Sequence, residues 1–173
     1  IIHIAGTSGK GSTTSNMAAV LREGGYQVGH HVSPFVSVAT EKIQINGQLI
    51  APADFVALVE EMKPIIDTVS AKMGPPSYFE CWMVAALLYF KKSGVDYAVL
   101  ETGCGGRYDA SNAVKKTEFS LITNVGLDHT HILGKTISKI AYEKAGIIRP
   151  KGRVITTAAR PAALKVIERV CDE

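Results

Sequence analysis

The sequence predicts an α/β fold, a mostly parallel sheet with helices on both faces, built around a phosphate-binding loop near its amino end. Three observations point there. Short apolar runs of strand character alternate with helix-length amphipathic stretches along all 173 residues, the pattern of a parallel sheet covered on both sides. The stretch Gly6-Thr7-Ser8-Gly9-Lys10-Gly11-Ser12-Thr13 lies between a strand and a helix, the setting that a phosphate loop requires. Polar residues recur directly after the apolar runs, at strand ends where open α/β sheets gather ligands.

In chain order, residues 1–5 read as a buried strand. Residues 12–22 read as a helix with Met17, Val20 and Leu21 at helical spacing, ended by Gly24-Gly25. Residues 26–32 are a second strand, stopped by Ser33-Pro34. Alternating apolar residues over 41–50 flank Asn46-Gly47, a strong hairpin signal. A helix runs from about 52 to 72 with Phe55, Leu58, Val59, Met62, Ile66 and Val69 on one face, and Pro64 should kink or split it. Residues 78–92 form another helix, with Phe79, Trp82, Met83, Ala86, Leu87 and Phe90 turned inward. Strands follow at 97–100, ending at Glu101, and at 119–123, ending in the segment 124–131. A helix at 137–145, a strand at 154–156 and a helical stretch at 162–170 close the chain.

The loop carries the chemistry. Glycines let the backbone take positive φ and approach phosphates closely. Successive N–H groups and the helix N-terminus then favour an anion. Lys10 supplies a full charge, and Ser12 or Thr13 can offer a hydroxyl to Mg²⁺. The usual spacing is broken, because Gly11 separates Lys10 from Ser12, yet every needed group is present. A plain turn capping a helix would not need a lysine flanked by glycines.

Four groups fall on the same predicted sheet edge: the loop, Ser33, Glu101 and Asp128-His129. A carboxylate just past an apolar strand is costly unless paired or metal-bound, so Glu101 is a candidate Mg²⁺ ligand, with a helix cap or an ion pair to Arg107 as the alternative. His129, in a His-x-His with His131, is either a loop histidine or a metal group. Lys144 beside Glu143 reads by default as a solvated helix pair, and His30 and His31 as structural.

Composition narrows the class. Hydrophobic residues are 46% and charged residues 20% of the chain, enough for a packed core. A net charge of +3 is too small to mark a nucleic-acid surface. The apolar runs are too interrupted to span a membrane. Three widely spaced cysteines fit neither a disulfide framework nor a zinc site, which points to a reducing cytoplasm. The lack of a starting Met and of a closing element after the last helical stretch predicts a fragment of a longer protein.

Six motifs then occur in order: Gly6-Thr7-x-Gly9-Lys10-Gly11-Ser12; Ser33-Pro34; Glu41-x-Ile43-x-Ile45-Asn46-Gly47; Glu101-x-Gly103-x-Gly105-Gly106-Arg107-x-Asp109-Ala110-x-Asn112; Gly126-x-Asp128-His129-Thr130-x-x-Leu133-Gly134; and Glu143-Lys144-Ala145-Gly146-Ile147-Ile148. Together they resemble folylpolyglutamate synthase/dihydrofolate synthase, a branch of the Mur ligase superfamily. The resemblance implies a P-loop NTPase-like Mur ligase central domain over residues 1–173, incomplete and without the C-terminal glutamate-ligase domain. It implies an ATP-dependent amide ligase that acts through an acyl phosphate, with folate or dihydropteroate and L-glutamate as substrates and a monomeric parent. Lys10 would touch the phosphates, with Gly6 to Thr13 forming the cradle. Ser12, Ser33 and Glu101 would hold the first Mg²⁺. His129 would serve a second, with Lys144 at the position that many members carbamylate. Phe79, Arg107 and Asp109 are the implied substrate contacts. Ser8, Phe35, Lys42, Met83, Thr102 and Cys104 depart from the residues usual in that branch. The competing readings are another Mur-type ligase, acting on a cell-wall precursor or cyanophycin, a stand-alone nucleotide-binding module, and a generic phosphate-loop ATPase.

Overall fold

A computed structural model describes residues 1–173. The first strand, β1 (Ile2–Ala5), is buried throughout and leads through residues 6–9 into α1 (Lys10–Glu23). The helix begins two residues before the expected start, because Gly9 takes a left-handed φ of 78° and turns Lys10 directly into the first turn. Next come β2 (Val28–His31) and a hairpin of β3 (Gln44–Ile45) and β4 (Gln48–Leu49). Its turn has φ 52° at Asn46 and 78° at Gly47, both left-handed as the favoured two-residue hairpin demands. The expected strand from Glu41 is instead a 3-10 turn, Ala39–Lys42, because the Glu41 carboxylate accepts the N–H groups of Val36, Ser37 and Val38 and curls the chain around itself.

Two helices follow, α2 (Pro52–Met73) and α3 (Tyr78–Lys92). Pro64 does not split α2, which runs as one helix of 22 residues. Both Pro64 and Glu60, whose carbonyl loses its helical partner, are exposed, so water can satisfy that carbonyl. Ser77 and Glu80 form a reciprocal capping box at the start of α3. The remaining elements are β5 (Tyr97–Glu101), β6 (Phe119–Ile122), a single turn α4 (Thr130–Leu133), α5 (Ile137–Ala145), β7 (Arg153–Thr156) and α6 (Pro161–Asp172).

The strands make one sheet in the order β4-β3-β2-β5-β1-β6-β7. The five strands from β2 to β7 are mutually parallel, and the hairpin adds antiparallel strands at one edge. All five carboxyl ends therefore open on one edge, the geometry in which α/β sheets bind ligands. Helices cover both faces, unevenly. On one face Ile2, Ile4, Val28, Val99 and Leu121 pack against Met17, Ala18 and Leu21 of α1. On the other, Ala98 and Leu100 pack with α2 and α3, and Ile122 with α5 and α6. Val20 is 68% exposed, so it lies off the buried stripe of α1. In α2 only Leu58 and Met62 are buried, because that helix touches the rest of the molecule mainly along α3, where Phe55 stacks on Trp82 at 5.0 Å. Val59 and Val69 consequently stay partly in solvent. No helix is long and apolar enough to cross a membrane.

Candidate active site

The glycine loop is fixed from the β6 side. Thr7 N–H donates to the Asn124 carbonyl at 3.0 Å and Ser8 N–H to Asn124 Oδ1 at 2.9 Å. Thr123 Oγ1 donates to the Ser8 carbonyl at 2.7 Å, and Thr7 Oγ1 accepts from Gly126 N–H at 3.0 Å. Asn124 and Thr123 are thus part of the cradle, although sequence reading placed them only at a strand end. At the other end of the loop the first turn of α1 has no side-chain cap and no acidic residue. Its free N–H groups and positive dipole end are left for an external anion. Ser12 Oγ turns back to the Gly9 carbonyl at 3.1 Å.

Two ammonium groups meet at one carbonyl. Lys10 Nζ donates to Gly6 O at 3.2 Å, and Lys144 Nζ, from α5, donates to the same oxygen at 2.7 Å. Lys144 is not the solvated partner of Glu143 that its sequence suggests: it is 1% exposed, because α5 packs behind the loop and turns this side chain toward it. Burial lowers its pKa to about 8, and the Lys10 charge adds to that shift. Two cations facing a single carbonyl, with no carboxylate bonded to either, suit a polyanionic ligand.

Glu101 sits at the tip of β5, buried, with Oε2 accepting Ser33 N–H at 3.0 Å. A Cβ on Gly11 would lie 3.4 Å from the same oxygen, so this carboxylate faces the start of α1. Burial raises its pKa above the usual carboxylate range, while the Ser33 N–H, Lys10 and Lys42 pull the other way. Such a group gains from a divalent cation, and Mg²⁺ characteristically takes one or two protein oxygens plus phosphates and waters. No three His, Cys, Asp or Glu side chains gather into a site of their own, so a metal here would draw on hydroxyls and ligand oxygens as well. His129 is exposed in a left-handed conformation at φ 46°, with Nε2 3.6 Å from Asp128 Oδ1. Its ring lies 6.3 Å from that of His131.

Beside this edge lies a cleft of about 400 Å³ whose walls include Phe79, Cys104, Tyr108, Asp109, Leu133 and Glu143. Gly103 makes it possible, since a Cβ there would come 2.9 Å from the Phe79 ring and 3.1 Å from Asp109 Oδ2. Phe79 and Asp109 thus share one cavity. Arg107 does not line it. Its guanidinium stacks over Tyr142 at 3.8 Å, away from Glu101. Arg149, which the sequence reading passed over, clamps the segment that carries Asp109. It donates to the carbonyls of Asn112, Val114 and Gly146, and Asn112 Nδ2 donates to the carbonyls of Arg107 and Gly146. Lys42 is buried with its ammonium 5.7 Å from the ring centres of Phe35 and Tyr78.

The profile of the family described as Mur ligase middle domain matches residues 4–171. The chain belongs to that family. As a Mur ligase middle domain it is 42% identical over 167 residues to the dihydrofolate synthase/folylpolyglutamate synthase of Bacillus subtilis, a match covering 95% of this chain and 39% of that protein. It superposes with a TM-score of 0.93 on a structure named as an FPGS–AMPPCP–folate complex, at 35% identity, over 99% of this chain and 42% of the other. With FolC of E. coli, in a structure named as a complex with DHPP and ADP, the TM-score is 0.88 at 33% identity, over 99% of this chain and 39% of that one. The chain therefore spans about two fifths of the length of these relatives.

The buried lysine of this Mur ligase domain gives a pH signature. Its pKa is about 8 when folded against an ordinary 10.5. Between those values the unfolded chain binds the extra proton, so stability should rise as pH goes from about 8 to 10.5, by up to about 3 kcal/mol. Urea titrations of the parent and of Lys144→Met across that window should differ by this increment, and parallel curves would contradict the burial of a charged amine.

Proposed function

We propose that this chain is the ATP- and Mg²⁺-binding part of a ligase that adds L-glutamate to the carboxylate of a folate or dihydropteroate. The observation that carries this reading is the pair of ammonium groups, Lys10 and Lys144, that meet at the Gly6 carbonyl of the glycine loop, with the Glu101 carboxylate facing the start of α1. The relatives and solved neighbours, which include folylpolyglutamate synthases and complexes with AMPPCP, ADP, folate and DHPP, support the same pair of ligands.

In this reading the acceptor carboxylate attacks the γ-phosphorus of ATP and ADP leaves. The amine of glutamate then opens the acyl phosphate, releasing phosphate. Loop N–H groups and Lys10 neutralise charge on the phosphoryl oxygens and hold them in line, which is most of what phosphoryl transfer asks of a protein. Glu101 with the Ser33 and Ser12 hydroxyls would hold Mg²⁺, which supplies further charge neutralisation. His129 and Lys144 are the candidates for a second ion. Lys144 suits that role as a carbamate: its neutral amine adds to CO₂, loses a proton and becomes an anionic oxygen donor. Burial keeps a share of that amine neutral near physiological pH. Phe79 and Asp109 would bind the acceptor's ring system.

Three measurements test the reading. In the full-length protein, ADP release should depend on dihydropteroate or a folate together with glutamate, and release driven only by a cell-wall precursor would overturn it. The 173-residue chain alone should bind nucleotide without forming the amide bond, since glutamate-binding groups would lie elsewhere in the protein. Glu101→Gln should raise the Mg²⁺ concentration needed for half-maximal nucleotide binding by about tenfold, a loss of roughly 1.4 kcal/mol. An unaltered Mg²⁺ titration would remove Glu101 from the metal site.

A further inference from the structure

Behind Asp109 runs a buried chain of hydrogen bonds. His3 is fully buried in β1, with Nε2 2.8 Å from Ser111 Oγ. That hydroxyl is 2.5 Å from Asp109 Oδ1. Oδ1 also accepts Ser111 N–H at 3.0 Å, and Oδ2 accepts Cys104 N–H at 2.9 Å. His3 Nδ1 is buried without a partner.

Proton counting sets the directions. A hydroxyl carries one proton, and a carboxylate that accepts two N–H groups is the acceptor in its third bond as well. Ser111 therefore gives its proton to Asp109, and its oxygen faces His3 as an acceptor. The hydrogen on the imidazole must then be on Nε2, which leaves Nδ1 as a bare lone pair. Burial holds this ring neutral, with a pKa of about 3, and the Arg149 charge acts in the same sense.

We propose that His3 is a positioning residue for the acceptor cleft: its Nε2–H fixes the Ser111 hydroxyl, which fixes the Asp109 carboxylate. Oδ1, with two donors, is filled. Oδ2 keeps one free lone pair for a ligand in the Phe79 cleft. The matching ligand feature is a flat heteroaromatic ring that offers an N–H at its edge. This inference rests on the reading of that cleft as the acceptor site.

The test uses the full-length protein. Long-range ¹H–¹⁵N spectra at neutral pH should show His3 protonated at Nε2 alone, and protonation at Nδ1 would overturn the relay. Binding of 7,8-dihydropteroate is then followed by fluorescence, with ADP affinity as the control for folding. His3→Leu should bind the pteroate about tenfold more weakly with ADP affinity unchanged, as expected for one lost hydrogen bond. His3→Gln, whose amide can donate in the same direction, should stay within about threefold. Equal losses in the two variants would reduce His3 to packing and overturn the proposal. Asp109→Asn separates the two readings. If it leaves pteroate affinity unchanged, the cleft is not the acceptor site and the positioning role falls, whatever the tautomer. If it weakens binding while His3→Leu does not, the cleft reading stands and the relay alone is overturned.

Discussion

Gly6→Ala should both destabilise the protein and abolish nucleotide binding. The residue sits at φ 152°, and an added Cβ would lie 1.8 Å from Thr123 Oγ1 and 3.2 Å from the Thr123 backbone N. Rotating the threonine relieves the closest approach but leaves its Cβ at 3.1 Å, so the junction must still give by a few tenths of an ångström. That rotation also breaks the bond from Thr123 to the Ser8 carbonyl. Forced overpacking of this kind costs about 3 kcal/mol, or a fall of roughly 6–12 °C in Tm for a domain of this size. The carbonyl that receives both lysines belongs to the same residue, so its displacement scatters the two charges. ADP affinity should drop by more than about 100-fold, the equivalent of roughly 3 kcal/mol. A normal Tm with normal ADP affinity would show that the strand-to-loop junction has slack.

Lys10→Ala should have the opposite profile, with nucleotide binding lost and the fold intact. The only hydrogen bond of its ammonium goes to Gly6 O, which Lys144 also serves. Stability should therefore move little. A charge-assisted contact to a phosphate is worth about 2–3 kcal/mol, so ADP affinity measured by calorimetry should fall by about 100-fold. Removing the Lys10 charge should also raise the pKa of Lys144, because that charge helps to lower it. Unchanged affinity would refute the assignment of the loop.

What could be read from the sequence follows the range of the interaction concerned. The glycine loop and the Asn46-Gly47 turn were legible because each is a local backbone demand: φ 78° at Gly9, and φ 52° and 78° across the turn. The parallel sheet was legible because apolar runs and helices alternate regularly. The burial of Lys144 was not, because it depends on a contact with Gly6 that closes across 138 residues. His3 reads as one more residue of an apolar strand until Ser111, 108 residues away, is brought beside it. Pro64 does not split α2, and the Glu60 carbonyl that loses its helical partner lies on a wet flank where water can bond it. Arg107, expected at the substrate on the strength of its motif, stacks over Tyr142 and does not line the Phe79 cleft.

The Arg149 clamp joins the segment bearing Asp109 to the carboxyl end of the helix bearing Lys144. If the proposed function holds, the spacing between the ring of one reactant and the phosphate of the other would be set by the six residues from Lys144 to Arg149. Damage to that segment would leave each reactant bound as before and put them out of step, so its trace in kinetics would be a lower turnover number at unaltered half-saturation.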